Sequence, residues 1–154
     1  MSILWGLRPI PAKEASEVDV ESLPDDDLCS RLLGLSRELL DLGRNWAIVH
    51  YLVTGRWDER TEAPSSWAVF GRYEIDGHSF FSAPEDVAAI ARELSAITRH
   101  DIVLRLRVDQ IQGLYRGHAF SHDGLAGCAD EAEDLRDCYL QLARRGQGAL
   151  IRLG

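Results

Sequence analysis

Apolar positions recur at helical spacing through much of the chain, and the strand-like runs between them are short. Ile3-Leu4-Trp5-Gly6-Leu7, closed by Pro9 and Pro11, predicts a strand over residues 3–8. Pro24 and the aspartates at 25–27 open a helix, their charges matching the positive end of its dipole. Leu28, Leu32, Leu35, Leu39 and Leu42 follow at steps of four and three. That single stripe predicts one helix through residues 28–42. Gly43 punctuates before a second helix, residues 44–54, which places Trp46, Val49, His50 and Val53 on one side and ends at Gly55.

Residues 55–66 read as a polar loop carrying one large aromatic, Trp57. Trp67-Ala68-Val69-Phe70 and Tyr73-Glu74-Ile75 are strand-like, with Asp76-Gly77 as a hairpin turn before Phe80-Phe81. Ser82 and Glu85 have the spacing of a capping box. The helix they start carries Val87, Ile90, Ala91, Leu94 and Ile97 as a core stripe. Residues 101–109 fit a strand, with Leu104, Leu106 and Val108 alternating against Arg105 and Arg107, or a short helix. Residues 113–129 are Gly-rich and read as a long loop, a type of segment often given to function. A last helix over 130–145 turns Ala132, Leu135, Tyr139 and Leu142 inward, with Gly146 as its cap, and 149–153 closes as a strand. Together these segments predict one α+β domain over residues 1–154. Its small mixed sheet, from strands 3–8, 67–75 and 149–153, packs with about four main helices.

Length and charge narrow the function classes. A chain of 154 residues sustains one core. The 17 basic and 25 acidic residues give a net charge of −8. A duplex binder needs a basic stripe to neutralise phosphates, but the tightest basic groupings here are Arg105 with Arg107 and Arg144 with Arg145. Neither nucleic acid nor an anionic membrane is an expected partner. No uncharged apolar run nears the roughly 20 residues that span a bilayer. The opening MSILWGLRPIPAKEAS has no basic lead-in, so a cytoplasmic domain is expected rather than a secreted one. Cys29, Cys128 and Cys138 are too few and scattered for a disulfide framework. Cys29 and Cys138 fall among helix-spaced leucines and are expected to be buried thiols. Cys128, in the Gly-rich segment, would be reactive only beside a positive neighbour.

The opening MSILWGLRPI, residues 40–55 (LDLGRNWAIVHYLVTG) and the helix start SAPEDVA at 82–88 together resemble the YfbM-like family, a bacterial domain of unknown function. The pattern Asp41-Leu42, Trp46, His50, followed by Leu52, Thr54 and Gly55, is its sharpest part. The resemblance covers nearly the whole chain and implies a compact α+β domain with helices around a small sheet. It brings no catalytic residues with it. The chain departs from the family pattern at Tyr115-Arg116, where relatives carry a Tyr-Pro pair, and at residues 78–81 before the capped helix.

His50 is the leading candidate for chemistry. It lies one helical turn from Trp46, and an imidazole titrates near neutral pH, so it suits a general base or a ligand contact. The plainer alternative is a packed histidine satisfied by a backbone carbonyl or by Asp41. His118, His122, Asp123 and Cys128 have metal-compatible chemistry but no CxxC pair and no fourfold ligand set, so neither a metal nor a cofactor is expected. Asp41, Glu74, Asp76 and Asp109 are candidate carboxylates with nothing in the sequence to pair them. No phosphate-loop, dinucleotide, zinc-protease or nucleophile-elbow motif occurs. A site, if built, is expected between the Trp46–His50 face and residues 115–122, drawing on Trp46, His50, Trp57, Tyr115, His118 and His122. Two functional classes fit: a binding module for a small molecule or a protein partner, and a small enzyme working around His50.

Overall fold

Strand alternation organises the molecule. In the computed structural model the described residues are 3–56, 61–106 and 122–154, the side chains of His122, Asp123 and Leu125 excepted. Five strands, β1 (Trp5–Ile10), β2 (Leu40–Gly43), β3 (Tyr73–Asp76), β4 (Ser79–Ser82) and β5 (Gly148–Leu153), form a sheet of order β2-β1-β5-β4-β3. Every pairing is antiparallel, rather than mixed as the sequence suggested. Pro9 sits within β1 without cost, because β2 pairs only with residues 5–7 and the missing N–H falls beyond it.

Each face of the sheet carries its own core. Trp5, Leu7, Leu42, Ala149 and Ile151 point to one side and pack with α3 (Trp46–Thr54), α4 (Pro64–Phe70), α5 (Pro84–Ser95) and α7 (His122–Arg144). Ile10, Ile75, Phe81 and Leu150 point to the other and pack with α1 (Ala12–Ser16) and α2 (Asp26–Leu33). The run from Gly148 to Ile151 is buried at every position for that reason. The short helix α6 (Arg99–Leu104) joins α7 through Arg99, which pairs with Asp130 and Glu133. The two-cysteine expectation holds, since Cys29 and Cys138 are both buried.

Several local expectations change. The leucine stripe is not one helix: α2 stops at Leu33 with Gly34 as its cap, and Leu35 and Leu39 are exposed. The Leu39 N–H donates to the Leu7 carbonyl at 2.8 Å, and β2 then pairs with β1 and buries Leu42. Pairing an otherwise open strand outweighs two more turns of amphipathic helix. Residues 67–70 are helical, not extended. As the end of α4 they have carbonyls with no partner inside the helix. The Trp5 indole donates to the Val69 carbonyl and the Tyr139 hydroxyl to the Ala68 carbonyl, both at 2.7 Å and both buried.

The capping interaction of α5 also moves by one residue. Asp86, not Glu85, accepts from the backbone N–H of Ala83 at 3.0 Å, and the Ser82 hydroxyl accepts from Arg72 N–H at 3.1 Å. Residues 99–104 resolve as helix, while 107–110 lie outside the described residues. Residues 122–129, expected in a loop, form the first two turns of α7. Cys128, Ala129 and Ala132 fall at helical spacing and are buried, but Gly124 and Gly127 interrupt the stretch and made it read as loop.

Candidate functional site

α3 owes its position to its flanks. Asn45, just before it, reaches with its side-chain amide to the Glu131 carboxylate of α7 at 2.6 Å. Burial, ahead of nearby acidic charge, raises the Glu131 carboxyl above its ordinary value. At the other end Gly55 adopts φ 70° and donates to the Tyr51 carbonyl. Arg105 places its guanidinium against Gly55 and donates to the Leu52 carbonyl at 2.7 Å, a cation at the negative end of the helix.

Between these anchors, Trp46 and His50 do share a face, as their spacing implied. Phe70 of α4 meets both edge-on: its ring centroid is 5.8 Å from Trp46 and 4.7 Å from His50. Trp46 is part-buried and its indole donates to the Ile3 carbonyl at 3.2 Å. His50 is only 3% exposed. Asp41, the carboxylate suggested as its partner, is exposed and accepts instead from Gly43 N–H at 2.6 Å.

His50 is also part of a cavity wall. A space of about 230 Å³ is lined by His50, Thr54, Arg56, Thr61, Ala63, Ser65 and Ser66. The hydroxyls are set by short-range bonds. Thr54 Oγ1 donates to the His50 carbonyl at 2.8 Å and accepts from Arg56 N–H at 3.1 Å. Ser66 Oγ accepts from Thr61 N–H at 3.0 Å, and Thr61 Oγ1 from Ala63 N–H at 3.1 Å. Pro64 at the start of α4 and Glu93, which accepts from Ser65 N–H at 2.7 Å, fix the far wall. An imidazole, four hydroxyls and a guanidinium surround one small space, a lining that can hold oxygen-bearing groups through several hydrogen bonds.

Other expected site residues are distributed differently. Trp57, Tyr115 and His118 lie outside the described residues, as does the side chain of His122 and the whole of Asp109. Cys128 is not in a loop but fully buried in α7. Burial, reinforced by the charge of Glu131, pushes its thiol up to about 12, which removes the reactive reading. Among the described residues no three His, Cys, Asp or Glu side chains are grouped as metal ligands. Glu74 and Asp76 lie on β3, away from α3, and Asp76 closes the hairpin turn by accepting from His78 N–H. Thr61, Ser65 and Ser66 were missed because they fell within a polar loop beside a segment read as strand. The Ser-Ser pair after Pro64 was the one usable signal, since Pro opens helices.

No helix among the described residues is long and apolar enough to cross a membrane. None of the curated proteins matches the chain. Among solved structures it is similar to the crystal structure of a protein of unknown function, YfbM, from Escherichia coli. The identity is 22% and the TM-score 0.73, covering 98% of this chain and 99% of that one. That likeness is one of fold. Residues 11–152 match the family described as a domain of unknown function (DUF1877), and with nearly the whole chain inside the match, the chain belongs to that family.

Proposed function

We propose that this chain is a small-molecule-binding module whose ligand sits in the cavity beside His50. The observation that carries the reading is a nearly buried imidazole in the wall of a space also lined by four hydroxyl-bearing residues and Arg56. Packing alone has no need of a histidine there, and ligand sites combine a few convergent polar groups with apolar walls, here Phe70 behind His50. At about 230 Å³ the space falls below the roughly 300–1,000 Å³ of drug-sized sites. The ligand is therefore a small metabolite, rich in oxygen, neutral or anionic so as to suit Arg56. The net charge of −8 disfavours nucleic acid as a partner. The working location we assign is the cytoplasm, where Cys29, Cys128 and Cys138 stay reduced.

Native mass spectrometry of the purified protein tests the reading. The expected result is a retained small molecule in the wild type that is absent from His50→Phe and reduced in Ser66→Ala. Retention in both variants, or none in the wild type together with no thermal shift from a metabolite library, overturns it. The enzymatic reading has the same address, with His50 taking a proton from the bound molecule. Recovery of the added ligand chemically unchanged favours binding, and recovery of a product favours turnover.

A further inference from the structure

The second face of the sheet is covered over only part of its area. α1 and α2 close it over Ile10, Ile75, Phe81 and Leu150. Gly6, Arg8 and Arg152 belong to the same face by strand alternation, but lie beyond those helices. The register sets Asp41 of β2, Gly6 of β1 and Arg152 of β5 in one row across the sheet. Asp41 and Arg152 are therefore two strand spacings apart, roughly 10 Å.

Gly6 has no side chain, and the Glu38 side chain lies across the gap that this leaves. A Cβ at position 6 would run into the Glu38 carboxyl group, with Glu38 Cδ 2.9 Å away. The cavity over this row measures about 260 Å³ and takes Arg8, Glu38, Asp41 and Arg152 into its wall. Arg8 is held by the Ser36 carbonyl at 2.8 Å, which fixes the segment bearing Glu38 above the sheet. Among the described residues, neither Glu38 nor Arg152 has an ion-pair partner within 4.0 Å. Charges of both signs thus face one trough without an ion pair between them among the described residues.

We propose that this trough binds a small zwitterion, its ammonium group toward Glu38 and Asp41 and its carboxylate toward Arg152. A ligand with one charge would leave the opposite wall charged and unanswered, whereas a ligand carrying both meets each wall with its complement. The row spacing favours charges separated by several carbon atoms over those of an α-amino acid. This site is independent of the His50 cavity, because α3 packs on the other face of the sheet.

The test is a nitrogen-15 NMR titration with ε-aminocaproate, using caproate and hexylamine as singly charged controls. The expected result is shifts of the Gly6, Asp41 and Arg152 amides, with ε-aminocaproate binding more tightly than either control. Arg152→Gln and Glu38→Gln, both at exposed positions, each weaken it by about fivefold. The absence of shifts overturns the proposal. So does hexylamine binding as well as ε-aminocaproate with Arg152→Gln silent, or caproate binding as well with Glu38→Gln silent.

Discussion

Phe70 meets His50 edge-on, with ring centroids 4.7 Å apart and planes at 70°. The same ring meets Trp46 at 83°, so one side chain at the end of α4 fixes the whole candidate face of α3. Phe70→Leu keeps the volume roughly apolar but removes both edge contacts. The expected cost is about 1–3 kcal/mol in urea unfolding, together with weaker ligand retention, because the imidazole loses its backing. A change below about 0.5 kcal/mol would mean that α3 is placed by its flanks, Asn45 and Arg105, alone.

The Tyr139 hydroxyl is a second anchor of α4, and a cleaner one to remove. Tyr139 is fully buried and its donor ends on the Ala68 carbonyl, one of the groups the helix itself leaves unbonded. Tyr139→Phe deletes only the oxygen and strands that carbonyl away from water. The expected loss is about 1–3 kcal/mol with the urea m-value unchanged.

The buried thiols make stability fall in alkali. Burial pushes Cys128, helped by Glu131, and Cys138 from 9.0 up to about 12. Above pH 9 the unfolded chain releases these protons while the folded chain keeps them. The folded state then holds more protons than the unfolded one, so stability declines as pH rises, by about 1.4 kcal/mol per pH unit for each thiol. Their contribution is intact below pH 9. Cys128→Ala removes one of the two slopes. Between pH 8 and pH 10.5 wild type should lose about 2 kcal/mol more than the variant in denaturant titrations. Parallel curves would refute the assignment.

How much of this was legible in the sequence depended on how local the cause was. The helix from Pro84 could be read because Val87, Ile90, Ala91 and Leu94 repeat at helical spacing and all are buried. Residues 44–54 were legible for the same reason, and His50 with them. The leucine stripe misled because its spacing is real but Leu35 and Leu39 face solvent, and what ends the helix is a strand partner 33 positions away from Leu40, at Leu7. Residues 67–70 carry no period at all, since Trp67, Ala68, Val69 and Phe70 are buried on every side. A short buried run is helix or strand only once its hydrogen-bond partners are known, and Trp5 and Tyr139 lie more than 60 positions distant. The hydroxyls around His50 and the charges around Gly6 were hidden likewise. They meet through tertiary register, which composition does not encode.

Gly71 supplies the sharpest test of how α4 leads into the hairpin. Its backbone sits at φ 67° and ψ 166°, a region open in practice to glycine alone. A Cβ there would stand 2.5 Å from the Cβ of Phe80. Phe80 cannot move aside, because β4 holds it opposite Ile151 in the centre of the sheet. Gly71→Ala therefore combines backbone strain of about 1–3 kcal/mol with overpacking of similar size. The expected total is about 2–5 kcal/mol, a drop of about 5–15 °C in Tm for a domain of this size. Gly77, in the adjoining turn, is the control: nothing lies within 4 Å of a Cβ built there, and Gly77→Ala should stay within about 0.5 kcal/mol of wild type. Because Phe70 is the next residue back and bears on His50, the surviving folded fraction of Gly71→Ala should also hold ligand less well. Equal melting temperatures for the two variants would mean that β4 yields where the sheet register says it is fixed.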